Sequence, residues 1–335
     1  VLMSCYNASR YLSQAMESVL GQTYRDYEFV VVNDGSTDDT SDLLCRYAAK
    51  DDRIVLIEKE NSGLADSLNV GIDAARGTWI ARLDADDIAL PQRIEKQVAF
   101  MAGHPDCHLL GSALSMIDGN GMTVKRHRYP QDHDRLLSDL RRFRPFFGHS
   151  AAMFTTEAVR RLGGYNRYYK RSQDKDLWLR IAECGQMACL AEPLVNIRRH
   201  SDQISHHGNG RPQVVYGVAA GVCHFIRMRG EVDPSSGTVA TWQHFLEWLA
   251  LRVEEQGLFR CHEERRRLRE QRTAMHGRVA GAWCLFRGVV SSQYAFAVMC
   301  RKYFGSNIAE RLADEWICRA LPSTDHVPNN AQLQK

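Results

Sequence analysis

The stretch EFVVVNDGSTDD, from Glu28 to Asp39, decides the fold class of this chain. Its first half is a run of β-branched and aromatic residues, which predicts a buried strand. Its second half has Gly35 for a turn, hydroxyl residues that can cap a helix, and acidic residues that suit the positive end of that helix. Asp34 has no part in this local explanation. It lies at the C-terminal end of the strand, where α/β sheets bind their ligands.

Strand and helix patterns alternate on both sides of this stretch. Strands are predicted at residues 1–4, 28–32, 54–58 and 78–83, and helices at residues 8–20, 36–50, 62–75 and 91–101. Strands that alternate with helices of about 10–15 residues indicate a parallel sheet covered by helices. We therefore predict an α/β fold with a Rossmann-like, mostly parallel sheet flanked by helices.

The strand patterns end near residue 205, and helical periodicity replaces them. An amphipathic stripe recurs at helical spacing and consists of Trp242, Phe245, Leu246, Leu249 and Val253. We predict an α/β domain over residues 1–205, a helical C-terminal region over residues 206–321 and a flexible tail over residues 322–335.

Composition excludes several classes of protein. With 335 residues, 44% hydrophobic and 25% charged, the chain resembles an ordinary soluble globular protein, and its net charge of +3 gives no argument for nucleic acid binding. Its ten cysteines form no C-x-x-C pair and no zinc-site spacing, so we expect reduced thiols in a cytoplasmic protein. The longest apolar stretch, Val279 to Phe286, is too short to span a bilayer. Because Val1 already stands inside an apolar run, we expect a few residues of the first strand to be missing.

Two further acidic clusters stand where ligands would bind. The segment Arg82 to Asp87 carries three carboxylates in four residues after a predicted strand, and carboxylates this close repel one another unless a cation lies between them. Oxygen ligands suit Mg²⁺ or Mn²⁺. An acidic loop that caps the next helix is the alternative. The segment Ser172 to Asp176 either begins a helix capped by Ser172 or supplies Asp174 as a general base.

Together these segments resemble the family-2 glycosyltransferases, whose nucleotide-sugar-binding fold is called GT-A. The resemblance covers about residues 1–205. The matching elements, in chain order, are Cys5-Tyr6-Asn7, residues 15–24, residues 33–38, Asn61-Ser62-Gly63-Leu64, Asn69-Val70-Gly71, residues 84–87, Pro91-Gln92-Arg93, Gly163-Gly164-Tyr165 and residues 174–178.

The resemblance implies a set of residues that bind the donor. Asp34 corresponds to the aspartate that hydrogen-bonds the nucleotide base, and Asp84 to the ribose contact. Cys5, Tyr6 and Asn7 would line the same pocket. Arg82 could reach a phosphate, although an arginine beside a strand is more often a structural ion-pair partner.

The resemblance also implies the catalytic parts. Asp86 corresponds to the metal ligand that bridges to the diphosphate, with Mn²⁺ or Mg²⁺ as the cofactor, and His200 to a histidine near the phosphates or the metal. Asp174 corresponds to the catalytic base of inverting members. His149 matches a histidine on the acceptor side of the cleft.

The function implied is inverting, metal-dependent transfer of a sugar from a nucleotide-diphosphate-sugar, with UDP as the default, to a hydroxyl of a glycan or lipid-linked acceptor. The family's commonest setting is bacterial cell-surface polysaccharide synthesis. A basic run from Arg260 to Arg272 is either a solvated helix face or a contact with anionic lipid at the inner face of the membrane. A homodimer through the apolar stripe is an equal alternative.

Two departures and two rival functions stay open. Asn33 and Gln173 stand where the family usually has an acid. A nucleotidyltransferase would show a glycine-rich basic loop near the first strand, which Ser4 to Arg10 lacks. An inactive nucleotide-sugar-binding scaffold would have lost the metal or base carboxylate. The Q-x-x-R-W motif of processive synthases is absent, which favours single addition.

Overall fold

The computed structural model describes residues 1–200, 211–259 and 308–320. Its strands are β1 (Leu2–Cys5), β2 (Phe29–Asp34), β3 (Ile54–Lys59), β4 (Trp79–Ala81), β5 (Ile88–Ala89), β6 (Cys107–Ile117), β7 (Thr123–His127), β8 (Met153–Thr155) and β9 (Gln186–Arg198). Its helices are α1 (Ser9–Leu20), α2 (Thr40–Ala48), α3 (Leu64–Ala74), α4 (Arg93–Gly103), α5 (His133–Arg141), α6 (Thr156–Arg161), α7 (Gln173–Ala182), α8 (Arg211–Met228), α9 (Val239–Glu255) and α10 (Ile308–Ala320).

The first half of the fold is the strand–helix alternation that the sequence predicts. Strands β1, β2 and β3 pair in parallel in that order, and a parallel bridge from Leu2 to Arg82 connects β1 to the chain just after β4. Every residue of β2 is buried, because helices cover both faces of the sheet. From α1, the side chains of Leu12 and Met16 are fully buried in this core.

The second half of the sheet is mixed. Its strand order is β4-β8-β6-β9-β5, with β7 attached to β6. Strands β6 and β9 run parallel, whereas β4–β8, β6–β8, β5–β9 and β6–β7 are antiparallel pairs. The α/β class is confirmed, and each antiparallel pair includes at least one strand outside the four that the sequence pattern predicts.

The structure changes what was predicted for two helix caps. Helix α2 begins at Thr40 with Asp39 at the N-cap, not near residue 36, because Ser36 hydrogen-bonds Asn33 and the backbone amide of Thr37 donates to Asn7 Oδ1. Ser172 stands at the N-cap position of α7 as predicted, but its side chain makes no capping hydrogen bond. It adopts a left-handed conformation with φ of 54°, and its hydroxyl hydrogen-bonds Gln213.

The described C-terminal residues are helical. Helix α8 packs between α7 and α10, and α9 packs beside α8. The amphipathic stripe of α9 faces inward, where Trp242, Phe245 and Leu249 are buried in the core. These side chains therefore offer no surface to a second copy, which argues against a dimer built on this stripe.

Several predictions fall outside the described residues or stay untested. The basic run from Arg260, the tail from residue 322 and the junction after residue 205 lie in ranges that the structure does not describe. The three-part division stays a prediction. Within the described ranges, no helix combines the length and apolar character needed to cross a bilayer. The cysteines described there carry free thiols.

Candidate functional site

The carboxyl ends of the parallel strands are joined by side-chain hydrogen bonds. Asn7, which follows β1, has a positive φ of 49° and accepts a 2.8 Å hydrogen bond from the Thr37 amide on its Oδ1. The Cys5 thiol is buried, and desolvation raises its pKa to about 12. Tyr6 is 54% exposed beside it. A ligand at this edge would therefore meet the backbone here and the Tyr6 ring, not the Cys5 sulfur.

Asp34 ends β2 with both carboxylate oxygens occupied. Its Oδ1 accepts hydrogen bonds from Lys59 Nζ at 2.5 Å and the Ser62 amide at 2.9 Å, and its Oδ2 accepts one from the Gly63 amide at 2.9 Å. Burial opposes ionisation, but these donors outweigh it and hold the pKa of Asp34 below its usual range. Contact with a base would require one partner to move, and Lys59 is the movable one.

The acidic loop, residues 84–87, follows β4 and is held from three directions. The Asp84 carboxylate pairs with the buried Arg82 and accepts a 2.9 Å hydrogen bond from Ser150 Oγ. Asp86 Oδ2 lies 2.9 Å from His200 Nε2. Asp87 is buried between Ser150 Oγ at 2.5 Å and the Arg198 amide at 2.8 Å.

The surroundings lower the pKa of one of these three acids and raise the pKa of the other two. For Asp84, burial opposes ionisation, but the charge of Arg82 outweighs it and lowers the pKa. Desolvation raises the pKa of Asp86, with the Asp84 charge adding to it and the His200 hydrogen bond opposing it. Desolvation raises the pKa of Asp87 well above its usual value, and the charges of Asp86 and Asp84 add to it. Three adjacent anions are thus disfavoured unless positive charge arrives.

Arg198 is a further residue of the site, to which the sequence pattern assigns no role. It ends β9 and is fully buried, with its Nε donating 3.0 Å to the Asp86 carbonyl and its Nη2 donating 2.6 Å to Gln14 Oε1 of α1. Its guanidinium also lies 4.5 Å from the ring centroid of Tyr11. It therefore fixes the acidic loop to α1. Ser150, which follows His149 directly, is likewise a site residue that the sequence pattern does not predict.

Asp174 stands in the first turn of α7. Desolvation raises its pKa, opposed by a 2.8 Å hydrogen bond from the Lys175 amide to Oδ1. A raised pKa suits a general base. The neighbouring Lys175 ammonium lies 3.6 Å from the ring centroid of Phe143, and desolvation lowers its pKa to about 7 against the opposing charge of Asp174.

The surroundings of His149 favour its neutral imidazole form. Its Nε2 lies 2.6 Å from the Tyr165 hydroxyl, and its ring meets Trp178 edge-on at 5.8 Å. Desolvation lowers its pKa to about 3, and the Arg82 charge acts in the same direction. Tyr165 is positioned in turn by Asn69, whose side chain hydrogen-bonds both its amide and its carbonyl at 2.7 and 2.8 Å.

One cleft of about 230 Å³, here called the acidic cleft, brings together four of the predicted site residues. Five acids and imidazoles line it, namely Asp84, Asp86, Asp87, His149 and Asp174. Arg82 is buried beneath it, and Cys5, Tyr6, Asn7 and Asp34 lie at the strand ends outside its lining. A larger cavity of about 670 Å³ lies at the amino ends of β1 and β4, and no predicted site residue lines it.

A divalent metal fits this site only as one shared with a ligand. Among the described residues, no group of three or more His, Cys, Asp or Glu side chains is arranged to hold an ion. Asp86 and His200 offer two ligand atoms, and the Asp86 side chain is 29% exposed to the cleft. Mg²⁺ is usually held by one or two carboxylates together with substrate phosphates and water, and this donor set matches that pattern.

The solved structures of similar shape are glycosyltransferases with the GT-A fold. S. aureus TarS 1–349 in complex with UDP-GlcNAc matches with a TM-score of 0.56 at 16% identity, over 67% of this chain and 65% of that chain. A mannosyltransferase, PcManGT from Pyrobaculum calidifontis in complex with GDP-Man and Mn²⁺, matches with a TM-score of 0.53 at 18% identity, over 94% of this chain and 86% of that chain. At these identities the likeness shows the fold alone, and it confirms the predicted GT-A class.

Two curated relatives are more similar to this chain in sequence than these two solved structures are. The putative glycosyltransferase EpsE of Bacillus subtilis is 38% identical over 60% of this chain and 73% of its own length. The O-antigen biosynthesis glycosyltransferase WbnJ of Escherichia coli is 32% identical over 60% of this chain and 79% of its own length. The model of glycosyl transferase family 2 matches residues 1–177. This chain belongs to glycosyltransferase family 2 and is a glycosyltransferase.

Proposed function

We propose that the chain transfers a sugar from a nucleotide-diphosphate-sugar to an acceptor hydroxyl, with a divalent ion and with inversion at the anomeric carbon. The observation that carries this proposal is the acidic cleft, which Asp84, Asp86 and Asp174 line together. The reaction requires a cation and a general base. The acidic loop needs a cation, and Asp174 is an acid with a raised pKa that suits a general base.

The donor would bind along the strand ends. Asp34 and Tyr6 would meet the base, with the backbone of Cys5 and Asn7 beside it and Asp84 at the ribose. Arg82 is fully buried and pairs with Asp84. Its role is therefore to hold the Asp84 carboxylate in place rather than to touch a phosphate itself.

Asp86 and His200 would hold Mn²⁺ or Mg²⁺ together with oxygens of the diphosphate. A bound ion neutralises the charge of the departing nucleoside diphosphate. The chain's own contribution is to hold Asp86 on a loop that Arg198 fixes to α1, with His200 Nε2 2.9 Å from the Asp86 carboxylate.

Asp174 would take the proton of the acceptor hydroxyl as its oxygen bonds to the anomeric carbon. The bond from that carbon to the diphosphate oxygen breaks, and its electron pair leaves with the nucleoside diphosphate. General-base assistance of this kind contributes about 10²–10⁴-fold in rate. Burial favours the neutral form of His149, whose Nε2 is hydrogen-bonded to Tyr165, so it would orient an acceptor by hydrogen bonding and not by charge.

The setting that we propose is assembly of a bacterial polysaccharide or glycoconjugate in the cytoplasm, on a glycan or lipid-linked acceptor. WbnJ is an O-antigen biosynthesis glycosyltransferase, and AmsE of Erwinia amylovora, 32% identical over 61% of this chain, is an amylovoran biosynthesis glycosyltransferase. We keep uridine as the expected base. The two solved structures hold UDP-GlcNAc and GDP-Man, so a guanosine donor is the alternative to test.

The deciding experiment measures binding and hydrolysis of a panel of UDP- and GDP-sugars with and without Mn²⁺. We expect metal-dependent binding of one donor, which Asp86→Ala abolishes while the exposed control Asp73→Asn retains it. If no donor binds in either condition, the catalytic proposal fails and an inactive scaffold becomes the better explanation.

A further inference from the structure

A second cleft opens on another side of Asp174. Its volume is about 280 Å³, and Asp174 lines both this cleft and the acidic cleft. The walls differ in chemistry from the acidic cleft: they carry Phe143, Phe146, Phe147 and Trp178, with Arg144 and Lys175. We call this second cleft the aromatic cleft.

The aromatic cleft has the features of a sugar-binding surface. Phe147 and Trp178 are buried and form its base, while Phe143 and Phe146 are partly exposed. The rings of Phe146 and Phe147 lie 4.1 Å apart between centroids. Aromatic faces present large apolar area at little conformational cost, which suits the C–H face of a sugar ring.

Phe143 is held in a conformation that its residue type avoids. Its φ is +55°, and a positive φ is rare for a bulky residue. Backbone strain of this kind persists only where surrounding structure stabilises it, and it concentrates at functional sites. Here the conformation places the ring under the Lys175 ammonium, 3.6 Å from the ring centroid.

The charges of the aromatic cleft favour an anion. Arg144 and Lys175 are its cationic lining residues, and Asp174 is its acidic one. The Arg144 side chain is 49% exposed and keeps a 3.3 Å bond to Asp139. Burial lowers the pKa of Lys175 to about 7, so an anion beside it would restore its full charge and gain a charge-assisted hydrogen bond.

We infer that the aromatic cleft binds the acceptor, and that this acceptor is a saccharide carrying a phosphate group, which Lys175 and Arg144 recognise. The inference rests on the proposed function, because it takes Asp174 as the base. The sugar ring lies against Phe143 and Phe146, and its nucleophilic hydroxyl reaches Asp174 from the side without the acidic loop. The phosphate belongs either to a soluble sugar phosphate or to a lipid-linked saccharide diphosphate.

The first test is calorimetric titration with glucose 1-phosphate and N-acetylglucosamine 1-phosphate against the matching methyl glycosides. We expect at least one phosphorylated sugar to bind about tenfold more tightly than its neutral counterpart, since its phosphate can accept charge-assisted hydrogen bonds from Lys175 and Arg144. Lys175→Met and Arg144→Gln should each remove most of that preference. Lys125→Met, on the exposed strand β7, is the matched control and should keep it.

The outcomes separate this inference from the proposal beneath it. Equal affinity for phosphorylated and neutral sugars, or a Lys175→Met variant that behaves like Lys125→Met, overturns the inference even when the wild type hydrolyses its donor. Loss of all donor binding in the wild type overturns the proposed function instead. Because Arg144 is exposed, Arg144→Gln reports on recognition if Lys175→Met unfolds. Faster transfer to a lipid-linked saccharide diphosphate than to the soluble phosphate supports the inference and identifies the lipid source.

Discussion

Asn33 Nδ2 donates a 2.7 Å hydrogen bond to Glu58 Oε2, which joins the ends of β2 and β3 beside Asp34. Asn33 is buried, and its Oδ1 also accepts hydrogen bonds from the amide and hydroxyl of Ser36. The Asn33 amide can donate to a carboxylate through Nδ2 and accept from donors through Oδ1. The acid that the family usually has here could not donate to Glu58.

Asn33→Asp should therefore lower the free energy of unfolding by about 1–3 kcal/mol, because it sets two carboxylates together and removes the donor to Glu58 Oε2. Adding Glu58→Gln should recover a large part of the loss, since the glutamine amide can donate to the carboxylate introduced at position 33. Denaturant unfolding of the two single variants and the double variant measures this coupling. Strictly additive losses would contradict it.

Asp174→Asn should lower the rate of sugar transfer about 10²–10⁴-fold while donor binding is kept, because the amide cannot take a proton. In the wild type, kcat/KM should rise with pH through a pKa above the ordinary range of an aspartate, since burial disfavours the charged form. The exposed Asp73→Asn is the control for loss of one negative charge. Near-normal turnover by the Asp174→Asn variant would exclude this base.

His149 should make the fold sensitive to acid. The unfolded chain protonates this histidine near pH 6.5, whereas the native chain does so only at about pH 3. Its contribution to folding stability is therefore fully present above pH 6.5. It is lost as the pH falls, by at most about 1.4 kcal/mol per pH unit. The free energy of unfolding, measured from pH 7 to pH 4, should fall less steeply for His149→Asn than for the wild type.

The exposed His104→Asn is the control for that experiment and should follow the wild-type slope. If His149→Asn also follows it, the native imidazole is protonated more easily than its burial indicates.

Arg198→Met should weaken metal-dependent donor binding as well as stability. It removes donors to the Asp86 carbonyl and to Gln14, and unpaired buried partners cost about 1–3 kcal/mol each. The adjacent exposed residue offers a control, Arg199→Met, in which donor binding should be unchanged. Titration of Mn²⁺ against a fixed donor concentration distinguishes the two. Equal metal affinity in both variants would show that the acidic loop keeps its shape without the guanidinium.

The sequence predicts the first half of the fold well because its signals are local. Strands β1 to β4 and helices α1 to α4 each follow from a period or a turn residue within a dozen positions. Strands β6 and β9 do not, since Cys107–Ile117 is a buried run with no alternation and its parallel partner begins some 70–80 residues later. The direction of that pairing is a property of tertiary packing, which no local pattern contains.

In the candidate site, too, some residues could be predicted from local sequence motifs and others could not. Asp84, Asp86, His149 and Asp174 are predicted from the order of their motifs, and the structure brings them to one cleft. Ser150 contacts the acidic loop through its Oγ, and Arg198 contacts it through its backbone amide and its Nε. A serine after a histidine and an arginine in an Arg-Arg-His run look like ordinary surface residues, so their contacts become visible only when β8 and β9 are in place.

The position of β9 between β6 and β5 limits how this protein can be divided. The family model ends at residue 177, but the strand that carries Arg198 and leads to His200 comes later and occupies the interior of the sheet. A fragment cut at the family boundary would lack a central strand and expose two unpaired edges. During synthesis, too, the acidic loop cannot reach its final geometry until residue 198 has left the ribosome. The half of the fold that carries the acidic loop is therefore not a separable module, and the acidic cleft is completed only after that half has been synthesised.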